Sequence, residues 1–294
     1  MASLFLKLKM MLGIYISYKL SVMSFCSQFI TYNSSLITLK MMKKIKVTAV
    51  SYLNTKPFLY GIFQSLVQNE IELSLDIPSV CAAKLASGEA DLGLIPVAAI
   101  PEIANPHIIS DYCIGAVGAV KTVCLYSQVP IQEIEKVYLD EHSKTSVQLT
   151  KVLFKKYWQQ NPEFMPSTEG YLDNIKGSTA GLAIGDKTMG LAEHFEYVYD
   201  LGEVWQDWTG LPFVFAAWVS NKKLDDGFIE RFNHALNVGL QHIQELIYIL
   251  PTQYFEFDLK EYFTKNISYN LDEAKKKGLK RFLSEIQPEI SLTH

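Results

Sequence analysis

The chain has 294 residues, 49% of them hydrophobic and 20% charged, with a formal net charge of −4. That length and apolar fraction suffice for one large domain or two lobes of ordinary size, and an acidic balance with no basic stripe interleaved with aromatics excludes nucleic acid as an expected partner. Cys26, Cys81, Cys113 and Cys124 are scattered, with no CxxC pair and no His at zinc-ligand spacing, so neither a disulfide framework nor a metal site is indicated. Free thiols suit a reducing compartment, and a cytoplasmic location is expected.

Residues 1–42 differ from the rest. Lys7, Lys9 and Lys19 interrupt an apolar stretch in which Met10, Met11, Met23, Met41 and Met42 recur. A secretory signal needs an unbroken apolar core and a small-residue cleavage site, and a membrane span needs about 20 consecutive apolar residues. The segment offers neither, so it is read as an extension outside the fold, with the true start at Met41 or Met42 and no stable membrane insertion.

From Ile45 the pattern is regular. Ile45 to Val50 alternates as a half-buried strand, Ser51 to Pro57 is a polar loop, and a helix opens near Phe58. Ile71 to Ile77 alternates strictly, a helix runs from Pro78 through Leu85, and Gly88 ends it before the apolar strand Leu92 to Ile95. These β-α-β units imply a largely parallel sheet with ligands at the carboxyl ends of its strands. Ile114 to Tyr126 reads as one extended strand crossing between lobes. A second cycle follows: a strand over Val137 to Leu139, a helix from Ser143 to Tyr157, and a buried strand from Ala180 to Ile184. Phe213 to Val219 is the candidate return crossing. Phe228, Phe232, Ala235, Leu236 and Gly239 recur at helical spacing, and Asn270 with Glu273 resembles a capping box before a last helix to Ile286. The fold class is therefore α/β, with lobe 1 over residues 43–122 and 217–294 and lobe 2, over 123–216, inserted into it. Ligands of such proteins sit in the cleft between lobes.

Only Arg231 and Arg281 are present, each on a C-terminal helix whose polar face explains it. An anionic ligand must then be met by lysine, by hydroxyl and amide side chains, or by N–H groups at helix N-termini. Three termini follow strand ends: Asn54-Thr55-Lys56-Pro57, Pro78-Ser79, and Ser143-Lys144-Thr145-Ser146. For any one of them alone plain N-capping is the better reading; that all three follow strand ends favours an anion site. Gly185-Asp186 either offers a backbone amide to a ligand or makes a turn in which Asp caps the next helix. Thr209 to Pro212 lines a hinge or lies under the Trp205 and Trp208 cluster, for which core packing is the better reading. No GxSxG, HExxH, P-loop or GxGxxG pattern occurs, so the residues by themselves lead to a binding cleft that includes Ser51-Tyr52-Leu53-Asn54.

Five segments taken together, Ser51 to Pro57, Gly88 to Pro96, Asp140 to Ser146, Ile184 to Asp186 and Thr209 to Ala216, resemble the chorismate dehydratases, the first enzymes of the futalosine route to menaquinone. The resemblance covers Lys43 to Pro288; the opening loop combined with Trp-Thr-Gly-Leu-Pro-Phe is its most specific part. It implies a type II periplasmic-binding-protein fold and a lyase that removes water from chorismate to give 3-[(1-carboxyvinyl)oxy]benzoate, without a metal or redox cofactor. It also implies that Asn54 is the active-site asparagine, that Ser51, Gly185 and Asp186 contact the substrate, and that Ser79, Thr145 and Ser146 anchor its two carboxylates. With no protein base in the matching motifs, the resemblance suggests that the substrate's own enolpyruvyl carboxylate takes the ring proton. The rival readings are a solute-binding protein, a ligand-sensing module and the paralogous enzyme acting on cyclic de-hypoxanthine futalosine, whose opening loop is richer in Ser, Pro and Asp.

Overall fold

The computed structural model describes residues 44–250 and 257–286; the expected extension over residues 1–42, with its start at Met41 or Met42, lies outside the described residues. In chain order the elements are β1 (Ile45–Val50), α1 (Lys56–Phe63), β2 (Ile71–Asp76), α2 (Pro78–Ala86), β3 (Leu92–Pro96), β4 (His107–Ala116), β5 (Val123–Ser127), β6 (Lys136–Leu139), α3 (Lys144–Lys156), β7 (Glu163–Pro166), β8 (Thr179–Ile184) and β9 (Tyr197–Asp200). They continue with α4 (Leu201–Thr209), β10 (Phe213–Ser220), α5 (Asp226–Gln241), α6 (Ile243–Ile249), β11 (Ser268–Asn270) and α7 (Glu273–Ile286).

The strands form a six-stranded sheet in the order β11-β4-β10-β3-β1-β2 and a five-stranded sheet in the order β7-β6-β8-β5-β9, which with their helices make two α/β lobes. β1 pairs in parallel with both β2 and β3, as the β-α-β pattern requires. Because β1 is flanked on both edges, Val47 to Val50 are all buried and the expected alternation is lost. The larger sheet is mixed rather than largely parallel. β10 returns from the second lobe and enters between β3 and β4, antiparallel to each.

Both expected crossings move. Ile114 to Tyr126 is two strands, β4 in one sheet and β5 in the other, and residues 117–122 pass between the lobes with Lys121 at φ 68°. The whole of Phe213 to Ser220 pairs within the larger sheet, so the return passage occupies residues 210–212 and the lobe boundary falls before Phe213 instead of after Ala216. One carboxylate holds the outward crossing. Asp200, 7% exposed, ends β9 and caps α4 by accepting the Gly202 and Glu203 N–H groups at 3.0 and 3.2 Å, and it also accepts Val120 and Lys121 N–H at 3.1 and 2.6 Å. The return crossing is covered by α7, whose Gly278 lies against the Pro212 carbonyl. Trp205 is core, edge-on to Trp208, Phe213 and Phe282. The cap of α7 is Asp272, whose carboxylate accepts Lys275 N–H at 2.8 Å; Asn270 instead pairs with Tyr112 in the sheet.

The loop that carries Asn54 runs straight into α1, so the seating of α1 fixes that loop. α1 crosses α5 through Gly61 and Gly239, where a Cβ on either glycine would overlap the facing backbone, at Ala235 O or Pro57 O. Gly239→Ala should therefore cost at least about 1–3 kcal/mol of stability, the usual range for overpacking, read as a lowered midpoint in urea unfolding.

Candidate active site

A small cavity of about 50 Å³ lies where the two sheets face each other. Its floor comes from the central strands of the larger sheet, Val50 of β1, Leu94 and Pro96 of β3, Ile114 of β4, and Phe215 and Ala216 of β10. Val120 and Thr122 of the outward crossing form one wall. The second lobe adds Val123, Ser143, Ser146, Ile184 and Gly185, and the β1–α1 loop adds Tyr52, Asn54 and Thr55. The apolar walls exclude water while a few polar groups point into the space, the arrangement by which a site fixes the orientation of a small ligand.

Asn54 is one of the polar residues that line the cavity. Its Oδ1 accepts the Thr55 hydroxyl at 3.2 Å and its carbonyl accepts the Tyr269 hydroxyl at 3.0 Å. Across the cavity Ser143, the side-chain cap of α3, accepts Ser146 N–H at 3.4 Å and the Ser146 hydroxyl at 3.2 Å. Gly185, at φ 68°, donates its N–H to Thr122 O at 2.9 Å and packs under the Tyr52 ring. Burial first, then the carboxylates of Asp140 and Asp186, push the Tyr52 phenol far above its ordinary value, so Tyr52 is a neutral O–H donor at any physiological pH.

Three hydrogen bonds draw the lobes together around this space. Leu53 N–H donates to Asp186 Oδ1 at 3.0 Å, Ser79 N–H to His142 O at 3.0 Å, and Ala98 N–H to Thr145 Oγ1 at 3.1 Å. They redistribute the expected site residues. Asn54, Ser146 and Gly185 line the cavity. Thr145 is fully buried and its hydroxyl is committed to the lobe contact, Ser79 gives its amide to the other lobe instead of to a ligand, and Asp186 grips the loop backbone beside Asn54. Ser51 is exposed and its N–H is held by Asp76 O at 3.2 Å. Both arginines are engaged by acids, Arg231 forking onto Glu70 and Arg281 reaching Glu285 while lying over Trp208. In a separate pocket lined also by His142 and Ser167 to Asp173, Lys187 pairs with the buried Asp140, its ammonium 5.5 Å over the Tyr171 ring. Among the described residues no group of His, Cys, Asp and Glu is arranged to hold a metal ion, and no helix is long and apolar enough to cross a membrane.

A family model described as menaquinone biosynthesis matches residues 45–287. The chain belongs to this family. It is 25% identical over 227 residues to a chorismate dehydratase from Thermus thermophilus, spanning 70% of this chain and 83% of the relative. Among solved structures it is similar to a protein from Archaeoglobus fulgidus, with a TM-score of 0.61, 16% identity and coverage of 84% of this chain and 98% of the other. It is also similar to a Candida albicans gene product with the generic periplasmic binding protein fold, with a TM-score of 0.57, 14% identity and coverage of 86% and 92%. The type II binding-protein fold expected from the resemblance is thus the fold this family member has.

Tyr52, Ser143, Thr122, Tyr262 and Tyr269 are not singled out by the sequence. Tyr52 and Ser143 stand inside quoted motifs, but Thr122 and the two C-terminal tyrosines carry no local signal, because their partners lie 140 and 215 positions away in the chain. The packing of Tyr52 on Gly185 is testable with two glycines at positive φ. Gly177→Ala meets open space, whereas a Cβ at Gly185 comes within 3.0 Å of the Tyr52 ring. Both should pay about 1–2 kcal/mol for the left-handed backbone, and Gly185→Ala should lose measurably more in denaturant unfolding; equal losses would mean that the ring does not press on Gly185.

Proposed function

We propose that this chain is a chorismate dehydratase, a carbon–oxygen lyase of menaquinone biosynthesis working in the cytoplasm. It eliminates water from chorismate to leave 3-[(1-carboxyvinyl)oxy]benzoate. The observation that carries the reading is the cavity itself: a largely apolar space between the lobes whose polar groups, Asn54 among them, are neutral hydrogen-bond donors and acceptors. Kinship with the Thermus relative adds the substrate class. Buried free thiols at Cys81, Cys113 and Cys124 accord with a reducing compartment.

The chemistry follows from what such a site can and cannot do. Aromatisation drives the overall loss of water, so the enzyme has only to lower the barrier for removing one ring proton and releasing hydroxide. An asparagine amide is no base. The proton goes to the substrate's own enolpyruvyl carboxylate, and the departing hydroxyl is held by the Asn54 amide as its bond to the ring breaks. Orienting two groups of one bound molecule in this way is worth up to roughly 7–11 kcal/mol. Tyr52, Ser143 and Ser146, with the Asn54 amide, supply the hydrogen bonds that a dicarboxylate loses on leaving water. Ser79, Thr145 and Asp186 act one step back, by keeping the lobes shut.

Purified wild-type protein incubated with chorismate should produce an aromatic compound with the mass of chorismate less one water. Asn54→Ala and Asn54→Asp should keep the wild-type melting temperature and show no turnover above background. Intact chorismate after incubation with the folded wild type would turn the reading toward a solute-binding protein, and wild-type rates in either variant would remove Asn54 from the reaction.

A further inference from the structure

Phe215 and Ala216 are consecutive residues of β10, yet both line the cavity. A regular strand sends successive side chains to opposite faces of its sheet. Ala216 obeys that rule: it lies in a cross-strand row with Pro96 of β3 and Ile114 of β4, and all three line the cavity. Phe215 joins them because the ladder is broken beside it. Val214 stands opposite Gly115 and Ala216 opposite Ile114, so two steps along β10 match one step along β4 and Phe215 is the extra residue. On the other edge of β10 the register with β3 starts only at Ala216. This is a β-bulge, a device that re-aims a side chain beside an active site.

The ring is held from behind. It is 7% exposed and meets Phe213 edge-on, with centroids 4.7 Å apart. Phe213 is in turn edge-on to Trp205 of α4 at 5.2 Å and to Phe282 of α7 at 4.9 Å. A ring fixed in this way loses little freedom when a ligand settles on it. We propose that Phe215 is a specificity-determining residue of the dehydration, a platform that the bulge aims at the substrate ring and that favours this ring once it is aromatic. The inference rests on the reading of this cavity as the site of chorismate dehydration, and deepens it. Chorismate enters with a cyclohexadiene ring and leaves with a benzene ring. Two aromatic rings attract each other beyond their buried area through their quadrupoles, so the contact strengthens as the reaction proceeds. Only an interaction stronger in the transition state than in the bound substrate raises kcat.

The test compares Phe215→Leu with wild type and with Phe228→Leu, a buried core phenylalanine of α5 stacked on Phe232 at 5.7 Å. Phe215→Leu should lower kcat roughly 3- to 10-fold, the size of one aromatic pair, with KM for chorismate within about twofold of wild type. Phe228→Leu should lower the urea midpoint and leave kcat as it is. A second arm does not depend on turnover. The full chain is titrated calorimetrically with 3-methoxybenzoate and with its saturated counterpart, 3-methoxycyclohexane-1-carboxylate. Wild type should prefer the aromatic probe, and that preference should shrink roughly 3- to 10-fold in Phe215→Leu. If Phe215→Leu fails to fold, Phe215→Ile takes its place in both arms. A preference for the aromatic probe that is absent from wild type, or unchanged in the folded variant, overturns the platform. So does a kcat within twofold of an active wild type. Absence of wild-type turnover, with the preference still lost in Phe215→Leu, overturns the chorismate reading alone.

Discussion

Asp200 keeps a carboxylate almost out of water by surrounding it with backbone N–H groups instead of a cation. Burial pulls its pKa upward against four N–H bonds that favour the charged form. Two of those bonds belong to the helix it caps and two to the outward crossing, so the same carboxylate fixes both the start of α4 and the path by which the chain leaves the larger sheet. Val120 and Thr122 of that path are walls of the cavity, and Gly185, opposite, hangs its N–H on Thr122 O. With the outward path pinned, β10 can return into the middle of the larger sheet, and the ends of β3, β4 and β10 become the cavity floor.

An enclosure of this kind faces a definite electrostatic problem if its ligand is a dicarboxylate. Moving an unpaired charge out of water is expensive, and both arginines are bound to glutamates. Lys187 is already drawn to Asp140. What the cavity offers is a set of neutral donors, among them the Tyr52 phenol, Ser143 and Ser146, and the Asn54 amide, carried on a residue whose backbone carbonyl accepts the Tyr269 hydroxyl. Neutral donors suit a reaction in which charge moves from one part of the substrate to another, because a fixed cation would hold the enolpyruvyl carboxylate in its ionised form and weaken it as a base.

Much of this was legible in the sequence because local pattern decided it. β1, β2 and β3 alternate or run apolar between turn residues, α5 repeats its apolar face at helical spacing, and the loop from Ser51 to Pro57 has to follow a strand end. What escaped is what depends on distant pairing. The apolar run from Ile114 to Tyr126 has the same composition whether it is one strand or two; the break is set by Asp200, 80 residues from Val120, accepting two of its amides. The orientation of β10 depends on where the chain comes from and not on the residues it contains. At the site, Thr145 and Ser79 bear the right chemistry for an anion, but the opposite lobe claims the Thr145 hydroxyl and the Ser79 amide first. Tyr262 and Tyr269 look like ordinary core aromatics until the fold sets the hydroxyl of one on Thr122 and of the other on the Asn54 carbonyl.

The central claim is that chorismate is bound and dehydrated between the two sheets, beside Asn54. The most direct measurement is a crystal structure of the Asn54→Ala protein grown with chorismate, in which slow chemistry should leave the substrate intact. The account predicts ligand density in the interlobe cavity, with the ring against Phe215 and Ile114, carboxylates within hydrogen-bonding distance of Ser146 and Tyr52, and the ring hydroxyl directed at position 54. Chorismate bound in the separate pocket beside Asp140 and Lys187, or a cavity filled only by water at saturating chorismate, would contradict it.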